Sequence, residues 1–438
     1  MADKHDDAEA LVVGAGVAGL AAAHRLTSAG LDVVVLEAEV RPGGRLSTLE
    51  TSGGPMERGA QFLSTGYTVI PELVSVAGLA DQVVPVSGRS MVLLGGRSHA
   101  FDTMRPGTLV RGGTVRARDA LPALRGMMRA RRLAHRDIAD IGQWADLDQI
   151  DGQSWSTAVF GTGLTARLLN PTVLGLYFLT LSANSGAIPG ALAAFQARRA
   201  KAVTVRGGLG RLAVALARPL NVEYGVRVER VWRDGTGGAV LATNRGRRRA
   251  ASVVLATPAK PTTEMLAEPT PQEAAVLSVP YSRGLLIGLA LGEQLAAGEV
   301  GDAYGVLASP GDTTPLAAVA VRSRADAGSS GDLLTVMLRP SAVDQWWSAS
   351  DRDLHGVAVA ALSPLLPELK DRVTGAHIVR WEQAMPAVPT GHVAAVTAYR
   401  RGIRPTDPVV LAGDYLGFPW TDSAAFNGRW AADHLLSR

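Results

Sequence analysis

An apolar run from Ala10 to Val13 breaks at Gly14-Ala15-Gly16-Val17-Ala18-Gly19 and resumes as an Ala/Leu-rich stretch to about Ser28. A second apolar run, Leu31 to Leu36, closes on Glu37. Short continuous apolar runs bounded by turn residues predict buried parallel strands, and the stretch between them predicts a crossing helix. This rhythm is lost from 67 to 199, which reads as mainly helical with a hairpin between Met91 and Phe101 that turns at Gly95-Gly96. It returns at Val203, where Gly207-Gly208 precedes a helix marked by Leu212, Val214 and Leu216. Val222 to Val231 then alternates like a strand, and after a turn at Asp234 to Gly238 come strands Ala239 to Thr243 and Ala251 to Ala256. Between 280 and 400, Tyr281 to Leu291 and Gly331 to Leu338 predict strands. Ser350 to Leu366 predicts a helix with Asp351 near its start, and Trp346-Trp347 reads as a helix start. The last module is an apolar strand, Val409 to Ala412, ending at Gly413-Asp414, with a helix starting near Thr421 to Ser423, residues suited to N-caps.

The first module has the parts that hold a dinucleotide. Gly14 allows the tight turn, Gly16 lets a pyrophosphate approach the backbone, and Gly19 lets helix and strand pack closely. The helix N-terminus offers free N–H groups and the positive end of its dipole to phosphate. Glu37 stands where an acid accepts hydrogen bonds from the adenosine ribose. The fold class predicted is α/β, with a Rossmann-like nucleotide-binding domain.

After Glu37 comes Ala38-Glu39-Val40-Arg41-Pro42-Gly43-Gly44-Arg45. This run resembles the extended fingerprint of the flavin-containing amine oxidase superfamily, which includes protoporphyrinogen oxidases and phytoene desaturases. The resemblance implies FAD as the cofactor, with Gly43 and Gly44 close to it and Arg45 a cation for its pyrophosphate. It also implies that Glu57-Arg58-Gly59-Ala60-Gln61-Phe62 passes beside the isoalloxazine ring, with Gln61 or Phe62 facing the substrate cavity. The backbone of Val228 would meet the adenine, and Trp381, in a Trp–x–x–x–x–Pro segment, would run under the flavin. Gly413 and Asp414 would approach the ribityl phosphate, and the helix entered through Thr421, Asp422 and Ala425 would point N–H groups at the flavin pyrimidine, stabilising its reduced form. The implied architecture is a GR2-type FAD domain of residues 8–66, 203–280 and 405–438, with an inserted mixed α+β substrate domain of 67–202 and 281–404.

Composition narrows this picture. The 438 residues suffice for two domains. The chain has no cysteine, so disulfides, thiolate metal sites and a cysteinyl flavin are excluded, and no motif supports a histidyl link. FAD is therefore expected to be held non-covalently. The histidines show no metal-ligand spacing, and no metal is expected. The net charge of +4 is carried almost wholly by arginine, with lysine only at 4, 201, 260 and 370. No leader and no spanning apolar run precede the first strand, which reads as cytoplasmic. Residues 105–136 hold nine arginines and one acid, Asp119, with Leu121, Leu124, Met128 and Leu133 at helical spacing. This segment is a solvated helix face, a contact for an anionic membrane, or a guard at an entrance for acidic substrates. No nucleic-acid site is expected, and a homodimer is the oligomeric state considered.

No protein acid–base set emerges, as expected where a flavin carries the chemistry. Many amine oxidases of the family place a lysine near the flavin on the strand that is Val279 to Leu291 here, which holds Arg283 instead. The aromatic cage of that branch falls on Trp420 and His392. The expected function is an FAD-dependent oxidase or dehydrogenase. It takes a hydride from a C–H next to nitrogen of an amine or amino-acid-like substrate, and dioxygen or another acceptor reoxidises the flavin. The alternatives are a porphyrinogen-oxidase-like or desaturase-like enzyme acting on a large apolar substrate, and a non-redox flavin isomerase.

Overall fold

The computed structural model describes residues 7–235, 237–325 and 331–438. The polar start, Thr236 within the expected turn, and residues 326–330 lie outside the described residues. Two seven-stranded sheets form the frame. The first runs in the order Asn221–Tyr224, Val33–Glu37, Asp7–Val13, Gly246–Leu255, Ala239–Thr243, Val228–Arg233, with Val409–Leu411 also paired to Gly246–Leu255. Its central parallel strands are mainly apolar because both faces are covered: Val33 to Glu37 and Val409 to Leu411 are buried at every position, whereas the edge strand Asn221–Tyr224 is more polar and partly exposed. In the second sheet Val373–Pro386, Tyr281–Leu291, Asp332–Leu338, Leu316–Val321 and Gly305–Ala308 lead to the hairpin Arg89–Leu94 and Arg97–Asp102. Gly95 and Gly96, at φ +60° and +75°, supply the two left-handed positions of that hairpin turn.

Helices cover the sheets. In chain order these include α1 (Val17–Ser28), α2 (Ile70–Val76), α3 (Ala120–Ala130), α4 (Gly152–Leu164), α5 (Ala187–Ala197), α6 (Gly210–Ala217), α7 (His392–Gly402) and α8 (Thr421–Leu436). Among the described residues, no helix is long and apolar enough to cross a membrane. Helices α1 and α8 pack at backbone distance, since a Cβ on Gly428 would overlap the Ala18 carbonyl oxygen. Gly19 plays the same part on the sheet side, where a Cβ would overlap the carbonyl of Gly14.

Several elements differ from the sequence pattern for local reasons. Val222 to Val231 is two strands, not one. The chain turns at Gly225 (φ +67°), and the N–H groups of Gly225 and Val226 donate to the carbonyls of Glu39 and Glu37. On α6, Leu212 and Leu216 are buried, whereas Val214, half a turn away, faces solvent. Trp346 ends the helix Pro340–Trp346 rather than starting one. The helix Asp351–Leu362 does begin as expected, with Ser350 Oγ accepting from Asp353 N–H.

Gly428→Ala should lower stability by at least about 2 kcal/mol, because the added methyl meets backbone that cannot yield, despite alanine's better helix propensity. Urea denaturation followed by circular dichroism measures it, and an unchanged midpoint would show that α1 and α8 have room to separate.

Candidate active site

The parallel strands end in register. Leu36, Val13, Leu255 and Leu411 stand side by side, and the residues that follow them form one edge. Ligands of open α/β sheets bind outside this carboxyl edge. Glu37, Gly14, Ala256 and Gly413 all lie on or just beyond it, which brings three separated stretches of chain together.

At the first strand end Gly14 adopts φ +101°, which only glycine takes up without strain. Ala15 N–H donates to Glu37 Oε2 at 2.6 Å and Glu39 N–H to Oε1 at 2.9 Å. Burial pushes the Glu37 pKa up, and those two N–H groups pull against it. The second glycine pair docks on the first. Gly43 N–H donates to Ala15 O at 2.8 Å, and Gly43 bridges to Gly16.

Arg45 is held by the opposite end of the chain. Its guanidinium grips Asp414 with both arms, at 2.7 and 3.1 Å, and donates to the Ala384 carbonyl at 2.7 Å. Tyr281 joins them, its hydroxyl donating to Asp414 Oδ1 at 3.1 Å while its ring lies 5.9 Å from the Arg45 cation. Burial works against the charge on Arg45, but Asp414 and Tyr281 outweigh it and keep the group ionised. Burial, reinforced by Asp414, holds the Tyr281 hydroxyl well above its ordinary pKa, so it stays a donor.

The other candidates fall around this knot. Gly59 sits so close to Arg45 that a Cβ would overlap the Arg45 carbonyl oxygen, and Ala60 N–H donates to that same oxygen at 3.1 Å. The Gln61 side-chain amide donates back to the carbonyls of Gly59 and Glu57, and the main-chain carbonyl of Gln61 accepts from the Tyr304 hydroxyl. Trp381 Nε1 donates to Arg58 O at 2.5 Å, fixing its loop to the Gly59 segment. Val228 is buried, just past the turn that the Glu37 carbonyl anchors.

Asp422 differs from expectation. Its carboxylate does not cap its own helix. It accepts from the N–H groups of Thr68, Val69 and Ile70, all at 2.8 Å, and so caps α2 from across the fold. Burial raises its pKa against those donors. Helix α8 is left without a side-chain cap, as is α1 at Gly16, so both present first-turn N–H groups that lack an intrahelical partner. Thr421 opens α8, and Ala425 is buried one turn in.

Trp420 is part of an aromatic wall. It stacks on Phe418 (centroids 4.5 Å, 14° between planes), meets Phe195 edge-on at 5.4 Å and Tyr177 at 6.5 Å, and donates Nε1 to Ile138 O. His392 is not beside it in this wall. It is buried at the start of α7, where its Nε2 donates to Tyr415 O at 2.8 Å, and burial lowers its pKa. Sequence reasoning missed Tyr281 and the Ala384 carbonyl, and it left Phe195 and Phe418 without a role. Tyr281 carries no signal beyond its place in an apolar strand. Arg283 lies apart from the Arg45 knot, exposed, paired with Glu382 at 3.1 Å and 4.6 Å over the Trp347 ring.

This donor set fits a dinucleotide. Two uncapped helix N-termini and a charged arginine suit a pyrophosphate and an electron-rich ring, and a buried carboxylate suits a ribose. A Cβ on Gly16 would meet nothing within 4 Å, so the loop faces open space through which a ligand reaches backbone. Residues 17–436 match the profile of the family "Flavin containing amine oxidoreductase". The chain belongs to this family. It is a flavin-dependent oxidoreductase. A coproporphyrinogen III oxidase of Mycobacterium tuberculosis is 27% identical over 455 residues, covering 92% of each chain. A hydroxyneurosporene desaturase of Cereibacter sphaeroides is 31% identical over 271 residues, 54% of this chain and 53% of the relative. Among solved structures, cyclohexylamine oxidase from Brevibacterium oxydans shares the fold at TM-score 0.76 and 19% identity, over 99% of this chain and 100% of that one. With oxidases and desaturases as its relatives, the family member described here is not favoured as an isomerase.

His392 gives a pH signature. Its ordinary pKa is 6.5, and the folded value is lower. Between the two values the unfolded chain binds more protons, so its contribution to stability is complete above about 6.5 and is lost as pH falls through that window. In urea titrations from neutral pH downward, the wild type should lose more stability than His392→Gln, which can still donate to Tyr415 O. Parallel losses would contradict a buried neutral imidazole.

Proposed function

We propose that this oxidoreductase holds FAD non-covalently along the carboxyl edge of the first sheet and oxidises a large, apolar, porphyrinogen-like substrate. In this reading the adenosine ribose meets Glu37, the adenine lies near Val228, and the pyrophosphate lies over Gly14, Gly16, Gly43 and Gly44 at the start of α1, with Arg45 and Asp414 beside it. Gly59, Ala60, Gln61 and Trp381 border the ring, and the N–H groups of Thr421 and Asp422 face its pyrimidine. The sheet containing Tyr281–Leu291 and helices α3 to α5 then form the substrate side. FAD bound there supplies hydride acceptance, and dioxygen or another acceptor takes the electrons onward. The chain contributes orientation and water exclusion. Trp420, Phe418, Phe195 and Tyr177 offer an apolar wall, and the donors of α8 stabilise negative charge.

One observation carries the choice of substrate. On the strand where the family resemblance implies a lysine in amine-oxidising members, this chain has no lysine, and its Arg283 is exposed and engaged by Glu382 and Trp347. A lysine-assisted amine oxidation is therefore disfavoured. Loss of a hydride from a methylene between nitrogen-bearing rings, with a proton released from a ring N–H to solvent, gives a conjugated C=C and needs no such group. The coproporphyrinogen oxidase that aligns over nearly the whole chain supports this reading. The second reading, an amine with its C–H next to nitrogen, rests on the aromatic wall, which suits a cationic or apolar amine.

Anaerobic mixing decides between them. A porphyrinogen should bleach the flavin absorbance in stoichiometric amounts while a panel of primary amines and amino acids leaves it unchanged. Bleaching by amines alone would overturn the porphyrinogen reading in favour of the second.

A further inference from the structure

Helix α3 is amphipathic in the wrong sense for a soluble helix. Its inward positions are small: Ala123, Gly126 and Ala130 are buried. Gly126 leaves no space at all, since a Cβ there would overlap the Phe160 ring and the Val159 carbonyl of α4. Of its large apolar side chains, Met127 packs partly against the core, and the other three point outward. Leu121, Leu124 and Met128, spaced a turn apart, are 54%, 50% and 52% exposed. A solvated helix buries its large residues and exposes polar ones, so this face is built for a partner.

Charge says which partner. Arg116, Arg118, Arg125, Arg129, Arg131 and Arg132 are exposed along the same segment. Among the described residues, none of the six forms an ion pair. Asp119, the one acid of the stretch, packs against Gly163. An apolar strip flanked by unpaired arginines complements the acyl and headgroup layers of an anionic bilayer. A second copy is a poor occupant. A two-fold pair through this face would set arginines against arginines. A helix about 16 Å long also offers little of the roughly 800 Å² per partner that a stable interface takes.

We propose that α3 docks this protein on anionic membranes, lying flat with Leu121, Leu124 and Met128 in the interface and the arginines on headgroup phosphates. The proposal is independent of the substrate reading. Helix α3 packs on α4 and also against α5, whose Phe195 meets Trp420, so docking sets the bilayer beside the helical layer of the aromatic wall.

The test is flotation of the full chain with phosphatidylglycerol–phosphatidylcholine vesicles against phosphatidylcholine alone. The protein should float with the anionic vesicles only, and less as salt rises. The variant L121N/L124N/M128N should lower partitioning on the order of tenfold, and R125E/R129E/R132E on the order of a hundredfold. Urea midpoints should stay unchanged, because these side chains are exposed. Failure to float, equal flotation with neutral vesicles, or unaltered binding by both variants would overturn the proposal. So would light scattering that shows a dimer abolished by the apolar variant, which would assign the face to a second copy.

Discussion

Strands drawn from four places in the chain end side by side at Leu36, Val13, Leu255 and Leu411, and that register fixes what the next residues can do. A parallel sheet buries its strands on both faces, so its chemistry must appear where the strands stop. Glu37, the Gly14 loop and the Gly413-Asp414 turn are the consequence. The Arg45–Asp414 pair, joining residues 369 positions apart, secures the edge only because the strands have already brought those ends within 2.7 Å. Its value lies in geometry as much as in stability, because a buried ion pair must first recover the hydration its charges lose.

The same edge explains why two helices start without side-chain caps. Helix α8 carries an aspartate in its first turn, yet Asp422 caps α2. The exchange pins α2 to α8 and leaves the α8 dipole free for a ligand. Helix α1 begins at a glycine that cannot cap at all. Unsatisfied donors at buried helix ends are costly unless something accepts from them, and a dinucleotide does.

The carboxyl edge of the first sheet was legible in the sequence because its requirements are largely local. Gly14 makes the left-handed turn at the strand end, Gly19 answers to the Gly14 carbonyl five residues away, and continuous apolar runs betray buried parallel strands. What was not legible depends on distant partners. Nothing near Asp422 says that it caps another helix, and nothing near Tyr281 points to Asp414. His392 reads like a surface loop residue until α7 folds it against the Tyr415 carbonyl. Gly225 splits an evenly alternating run because the carbonyls of Glu37 and Glu39 draw the chain aside. Helix α3 shows both sides of this limit: its period is plain, but only the packing of Gly126 on α4 tells which face looks outward.

The central claim is that the open glycine loop on this edge exists to admit FAD, and Gly16 tests it most directly. Its backbone, at φ −70°, accepts alanine, and an added Cβ meets nothing within 4 Å. FAD titration of the wild-type and Gly16→Ala apoproteins, with urea midpoints measured in parallel, separates ligand approach from folding. The account predicts that FAD binds the wild type, leaves it on denaturation, and binds the variant at least about tenfold more weakly at an unchanged midpoint. Equal affinity for both proteins, or no FAD uptake by the wild type, would contradict it.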